Sequence, residues 1–246
     1  MTIPEAYIPL IEKMKFYIEP EISCSRFFAT ACFTEESLNA YRKNPTMSSL
    51  ELLQKTELGQ YVSDHLQDGL FIDVPCGFDQ PRDAEDFAMI PLAAALGISR
   101  YWEIDKTADV LTHRMPSVDE MTIRQEGSIS VTTMQNDLLA FIATLSDTTP
   151  SPKAFYISAL QPDADFCSDL SIQRDVAVPY LTALYDELAR VCVAGDLVIL
   201  NSSAMLVAGI DEETFPMIHP ALALPARGFS LMRRCALDKV HVFKKD

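Results

Sequence analysis

The spacing of apolar residues divides the chain into a helical N-terminal region and a longer region in which strands and helices alternate. Between residues 4 and 19 the apolar positions recur at intervals of three and four, which predicts an amphipathic helix that ends at Pro20. Ser48 and Glu51 have the spacing of a helix-capping box ahead of a further helix. Because residues 1–66 contain no strand pattern, we expect a helical N-terminal unit.

From residue 69 onward, short apolar runs are followed by helical patterns. The runs predicted as strands are 69–74, 99–105, 128–137, 153–160 and 197–200, and the tail predicts a hairpin around 237–239. Helices are predicted over 86–97, 138–145 and 178–192. Repeated units of this length favour a mostly parallel α/β sheet with helices on both faces and an antiparallel hairpin at its C-terminal edge.

The composition is that of an ordinary globular protein, with 48% apolar and 22% charged residues. No apolar run approaches the roughly 20 residues that span a bilayer, so we expect no membrane partner. The N-terminus lacks the basic-then-apolar order of a signal peptide, which predicts a cytoplasmic location.

The net charge and the cysteine and histidine spacing disfavour some classes of partner. With 20 basic and 35 acidic residues the chain carries −15, which repels phosphate backbones and disfavours nucleic acid. The six cysteines form no C-x-x-C pair and the four histidines never fall at i, i+4. We therefore expect no structural metal site and no disulfide framework.

Acids close three successive predicted strands. Asp73 ends the first, Glu103 and Asp105 end the second, and Asn136 and Asp137 end the third. In an open α/β sheet ligands bind outside the carboxyl ends of the strands. A carboxylate after the second strand can accept both hydroxyls of a ribose, and an acid or amide after the third can accept an adenine amine. The alternative is that these acids solvate loops or cap the following helices.

In these segments the chain resembles the class I S-adenosylmethionine-dependent methyltransferases. "LFIDVPCG" is similar to the family's first motif, with Asp73 and Gly77 matching and Pro75 in place of the first glycine. "YWEIDKTADVL" resembles the second motif and puts Asp105 at the ribose, while "QNDLLAF" resembles the third and lies beside the adenine. "ELARVCVAGDLVIL" is similar to the family's helix, glycine turn and fifth strand.

The resemblance implies a Rossmann-like, seven-stranded, mostly parallel sheet over residues 67–246 and a helical substrate cap over residues 1–66. It implies S-adenosylmethionine as the cofactor. The implied cofactor-binding residues are Asp73, Pro75, Cys76, Gly77, Asp105, Asn136, Asp137, Leu138, Ser158 and Ala159.

The implied reaction is methyl transfer to an oxygen or nitrogen of a small molecule. "SALQPDAD" after the fourth strand lacks the Asp/Asn-Pro-Pro-aromatic stretch of DNA amine methyltransferases, and Asn201-Ser202 replaces the Asp-Asn pair of metal-dependent enzymes. His219 is a candidate base, with a surface or core histidine as the alternative. The aromatic candidates for the substrate pocket, each of which could instead be core, are Tyr17, Phe27, Phe28 and Tyr180.

Two other functions stay open at this point, as does a homodimeric state. Pro75 fixes its own φ and removes one N–H from the first turn, which would suit a catalytically silent, methyltransferase-like binding or scaffold protein. A nicotinamide-dependent oxidoreductase shares the alternation, but it needs G-x-G-x-x-G after the first strand. Gly77 is the only glycine between Leu70 and Leu96, which disfavours that class.

Overall fold

The structure is a computed structural model that describes residues 3–14, 57–74, 90, 93, 94, 96–106, 121–146, 148–157, 173–201, 217–235 and 240–246. In the N-terminal region a 3-10 turn over Glu5–Tyr7 leads into helix α1, Ile8–Lys13, and helix α2 spans Glu57–His65. The prediction of one helix over residues 4–19 is wrong, because Met14 has ψ 127° and leaves the helical conformation. That extended residue places the Met14 side chain in the hydrophobic core, and residues 15–19 lie outside the described part of the chain.

One eight-stranded sheet forms the centre of the fold, in the order β3-β4-β2-β1-β5-β6-β8-β7. The strands are β1 Leu70–Asp73, β2 Arg100–Asp105, β3 Thr122–Glu126, β4 Ile129–Gln135, β5 Lys153–Ile157, β6 Leu197–Asn201, β7 Phe229–Cys235 and β8 Val240–Lys245. Strands β4, β2, β1, β5 and β6 are mutually parallel. Strand β8 pairs antiparallel with β6, and β7 pairs antiparallel with β8 at the edge of the sheet. The predicted Rossmann-like α/β sheet with its terminal hairpin is confirmed.

Strand β3 was not predicted, and it makes the sheet eight-stranded instead of seven-stranded. It pairs antiparallel with β4 through a turn at Gly127, whose φ of +60° is readily adopted by glycine. Ile123 is 62% exposed, and it is the only apolar residue of the strand. With a single apolar residue, β3 lacks the alternation of apolar and polar residues by which a strand is recognised.

Beside the sheet, the described part of the chain forms helices α3 Leu138–Thr144, α4 Val178–Val191 and α5 Pro220–Ala223. A π-helical turn over Gln173–Ala177 leads into α4. One face of the sheet joins α3 and α4 in a single core, whose members include Ile72, Ile104, Phe155, Leu200, Phe141, Leu181, Leu184 and Leu188. None of the described helices is long and apolar enough to cross a bilayer.

The N-terminal segment packs against α4. Leu10 and Ile11 contact the core, and the Tyr7 hydroxyl donates to Glu187 Oε1 at 2.9 Å. Burial, together with that hydrogen bond and the charge of Glu187, raises the pKa of Tyr7 to about 12. The described N-terminal residues therefore belong to the same packed body as the sheet.

A buried ion pair holds the amino ends of β5 and β6 together. Asp196 accepts hydrogen bonds from the Lys153 ammonium at 2.5 Å, the Lys153 backbone N–H, the Ser151 hydroxyl and the Val193 N–H. Both charged side chains are fully buried. Since both carboxylate oxygens of Asp196 accept hydrogen bonds, the ion pair fixes the amino ends of β5 and β6 relative to one another.

Strand order reverses at β1. From β1 the chain builds outward through β2 and β4, and then returns to the other side of β1 to add β5 and β6. Such a reversal opens a crevice at the carboxyl ends of the two strands concerned. We therefore expect a ligand site at the carboxyl ends of β1, β5 and the neighbouring strands.

Candidate functional site

Asp73 and Asp105 lie at the carboxyl ends of adjacent strands, on the same face of the sheet. Asp73 is in register with Glu103, and Asp105 follows two residues later on β2, roughly 7 Å further along. Both carboxylates are nearly inaccessible, with relative exposures of 2% and 5%. The structure thus brings together the acids that the sequence placed at the first two strand ends.

A buried tyrosine holds Asp73. The Tyr101 hydroxyl donates to Asp73 Oδ2 at 2.6 Å, and both residues are buried. The Tyr101 ring stacks on Phe71 with centroids 5.5 Å apart and an interplanar angle of 8°. Phe71 and Tyr101 are register partners on β1 and β2, so the stack fixes the ring from which the hydroxyl projects.

Glu103 belongs to a separate network toward the edge of the sheet. Its Oε2 accepts from the Thr133 hydroxyl at 2.7 Å and from Arg124 Nη1 at 3.0 Å. Burial lowers the pKa of Arg124, but the hydrogen bonds and charges of Glu103 and Glu126 outweigh it, so the pKa is raised overall. This network engages Glu103 with strands β3 and β4, and Asp105 lies two residues nearer the carboxyl end of β2.

At the third strand end, Asp137 caps the following helix with one carboxylate oxygen and lies near a lysine with the other. Asp137 is the N-cap of α3, and its Oδ1 accepts from Leu139 N–H at 2.9 Å and from the Tyr180 hydroxyl at 3.1 Å. Its Oδ2 lies 3.8 Å from the Lys106 ammonium. The capping alternative left open by the sequence therefore holds for one carboxylate oxygen, and the other is at the carboxyl edge beside β2.

The neighbours of Asp137 complete this strand end. Asn136 Oδ1 accepts from the Asp137 N–H at 2.9 Å, and Leu138 is the first residue of α3 and is buried. Tyr180 is fully buried, and burial followed by the charge of Asp137 raises the pKa of its hydroxyl well above the usual value. In this arrangement Tyr180 ties α4 to the start of α3.

His219 lies at the N-cap position of α5 and is buried. Its ring meets that of His241 edge-on, with centroids 5.9 Å apart. His241 is buried and in register with Leu200 near the carboxyl end of β6. The candidate base is therefore near the same edge of the sheet as the acids, inside the protein.

Several predicted site residues lie outside the described part of the chain. They are Pro75, Cys76, Gly77, Ser158, Ala159, Tyr17, Phe27 and Phe28. Val74 and Ile157 are the last described residues before the first turn and before Ser158. Among the residues described, no group of three or more His, Cys, Asp or Glu side chains could hold a metal ion.

Three residues of the site were not anticipated from the sequence: Tyr101, Lys106 and Arg124. Tyr101 is 28 positions from Asp73 and Arg124 is 21 positions from Glu103, so no local spacing links either pair. Lys106 directly follows Asp105, which is the only signal that could have pointed to it.

Comparison with known proteins finds similarity at the level of the fold. A SAM-dependent methyltransferase from Archaeoglobus fulgidus shares 16% identity over 81% of this chain and 79% of its own, with a TM-score of 0.39. Human N-acetylserotonin methyltransferase in complex with SAM shares 14% over 86% of this chain and 59% of its own, with a TM-score of 0.40. The antibiotic-resistance methyltransferase Kmr shares 14% over 76% and 90%, with a TM-score of 0.41. No protein-family model and no curated protein matches the sequence.

Proposed function

We propose that this chain is an S-adenosylmethionine-dependent methyltransferase that modifies an oxygen or nitrogen of a small molecule. The observation that carries the proposal is the placement of Asp73 and Asp105. They share one face at the carboxyl ends of adjacent parallel strands, beside the point where strand order reverses. That is the place where α/β sheets of this topology bind nucleoside-containing ligands.

The residues present fit such a cofactor. Asp105 offers two acceptor oxygens to the two hydroxyls of a ribose, and Asn136 with Asp137 Oδ2 offers acceptors to an adenine amine. Leu138 gives an apolar surface at the start of α3. Pro75, Cys76 and Gly77, together with Ser158 and Ala159, remain proposed cofactor contacts. When bound, the cofactor supplies a methyl group on a positively charged sulfonium.

The charge of this edge also supports that cofactor over a dinucleotide. Among the described residues, the acidic side chains at this edge outnumber the basic ones. The acidic residues are Asp73, Glu103, Asp105 and Asp137, and the basic residues are Arg124 and Lys106. A local negative field attracts a ligand with a sulfonium and an ammonium, whereas it repels the pyrophosphate of a nicotinamide dinucleotide.

The proposed acceptor is a small molecule, because the net charge of −15 disfavours nucleic acid. We assign residues 1–66 to a cap and residues 67–246 to the methyltransferase domain. We further propose that the protein acts in the cytoplasm, as a monomer or a homodimer. Tyr17, Phe27 and Phe28 are proposed to face the acceptor, and Tyr180 to support the site through Asp137.

Methyl transfer by in-line displacement depends on how the reactants are positioned, and a base is needed only when the acceptor is poorly ionised. His219 keeps that role as a proposal, because it lies near the carboxyl end of β6 beside His241. A metal ion has no part in the proposed reaction.

Calorimetric titration of the full chain with S-adenosylmethionine, S-adenosylhomocysteine and NADH tests the proposal. We expect both sulfur compounds to bind and the dinucleotide to bind far more weakly. No binding of either sulfur compound at millimolar concentration refutes the enzyme, and preferential binding of NADH favours the oxidoreductase. Binding without transfer of a labelled methyl group to any small-molecule acceptor supports the silent, scaffold-like alternative.

A further inference from the structure

We infer that Tyr101 is a positioning residue for the cofactor, acting through Asp73. The inference rests on the proposed function, in which the Asp73 carboxylate borders the cofactor crevice. Tyr101 is buried at the second position of β2, four residues before Asp105 at the carboxyl end, and its hydroxyl contacts Asp73.

The geometry is that of a preset carboxylate. The Tyr101 hydroxyl reaches diagonally across from β2 to Asp73 Oδ2 on β1, at 2.6 Å. A hydrogen bond from a hydroxyl to an ionised carboxylate is shorter and stronger than a neutral one. The near-parallel stack on Phe71 fixes the tyrosine ring, so the donor has one orientation. The carboxylate is therefore oriented before a ligand arrives, and binding does not have to order it.

Packing alone does not account for the hydroxyl. A phenylalanine at position 101 would stack on Phe71 equally well, and it would bring no polar atom into the core. A buried hydroxyl needs a partner, and here Asp73 Oδ2 accepts its hydrogen bond. The role of the oxygen atom thus concerns Asp73, and it can be separated from the role of the ring.

The test is a double-mutant cycle on the full chain, with S-adenosylhomocysteine as the probe in calorimetry. Tyr101→Phe is expected to weaken binding roughly fivefold and Asp73→Ala roughly tenfold, whereas the double variant should bind no worse than Asp73→Ala. Tyr61→Phe is the matched control, because the Tyr61 hydroxyl donates to the Gly195 carbonyl in the turn before β6, at the opposite edge. It should leave the affinity unchanged.

A second variant separates orientation from charge and does not depend on how well Tyr101→Phe folds. Asp73→Glu keeps the carboxylate but moves it by one methylene, so it should bind as weakly as Asp73→Ala if positioning matters. Wild-type affinity in Asp73→Glu or Tyr101→Phe, or additive losses in the cycle, overturns the inference and leaves the proposed function standing. No binding by the wild-type chain overturns both.

Discussion

The two acids at the end of β2 should differ in their effect on cofactor affinity. Replacing Asp105 by alanine removes the acceptors proposed for two ribose hydroxyls. Hydrogen bonds to a charged group contribute about 1.5 to 3 kcal/mol each, and water that enters the vacated space offsets part of that loss. A loss of about 1.4 kcal/mol, or tenfold in the dissociation constant, is therefore a lower bound.

Glu103→Gln provides the contrast. It removes the charge that faces Arg124 at 3.0 Å, in a position that is 1% exposed. Losing one partner of a fully buried ion pair costs about 3 to 5 kcal/mol. Arg124 is 24% exposed and keeps Glu126 at 2.6 Å, so we expect a smaller loss of about 1 to 3 kcal/mol.

The assays are calorimetric titration with S-adenosylhomocysteine and urea denaturation of each variant. We expect Asp105→Ala to lose affinity at least tenfold, and Glu103→Gln to lose stability with its affinity within twofold of wild type. If Glu103→Gln loses the affinity and Asp105→Ala does not, the ribose assignment belongs to Glu103 and the reasoning from the Arg124 network is refuted.

Three further predictions concern the scaffold. Asp196→Ala leaves the Lys153 ammonium buried without its partner and should cost about 3 to 5 kcal/mol in urea denaturation, whereas Asp186→Ala at an exposed ion pair should cost under about 1 kcal/mol. Equal losses would contradict the burial argument. Arg190→Lys loses the planar fork that donates to three carbonyls at the end of α3, and it should cost about 1 to 2 kcal/mol by the same assay. Tyr7 has a folded pKa near 12 against 10.0 unfolded, so the folded chain holds this proton more tightly. The stability it contributes is complete below pH 10 and is lost as the pH rises to 12; Tyr7→Phe should flatten that decline, and an unchanged slope would refute the assignment.

The elements that could be predicted are those with a continuous apolar run or a full apolar stripe. In α4 the stripe through Leu181, Leu184 and Leu188 is buried along its whole length. Gly195, with φ +93°, then makes the turn, and β6 follows as a run buried on both faces. Local signals and tertiary packing agree there, so the sequence alone is sufficient.

Prediction failed where burial departs from the local pattern. Strand β3 is held to β4 by backbone pairing and by Arg124, and its one apolar residue faces outward. The helix predicted over residues 4–19 breaks at Met14 because that side chain is buried in the core, although the helical spacing continues past it. In the first case the strand has no apolar periodicity to reveal it, and in the second a tertiary contact overrides the periodicity.

The division of roles among the strand-end acids is the part of the site that no local pattern could supply. All of them look alike in the sequence, as carboxylates that close apolar runs. They differ by the partners that the fold delivers: Tyr101 to Asp73, Arg124 to Glu103 and Tyr180 to Asp137, over separations of 28, 21 and 43 residues. A phenolic hydroxyl orients a carboxylate without neutralising it, whereas a guanidinium neutralises it. Glu103 is thus engaged by a guanidinium that attaches the additional strand to the sheet, whereas Asp73 is oriented by a phenol, and Asp137 caps α3 through one oxygen and lies 3.8 Å from the Lys106 ammonium through the other.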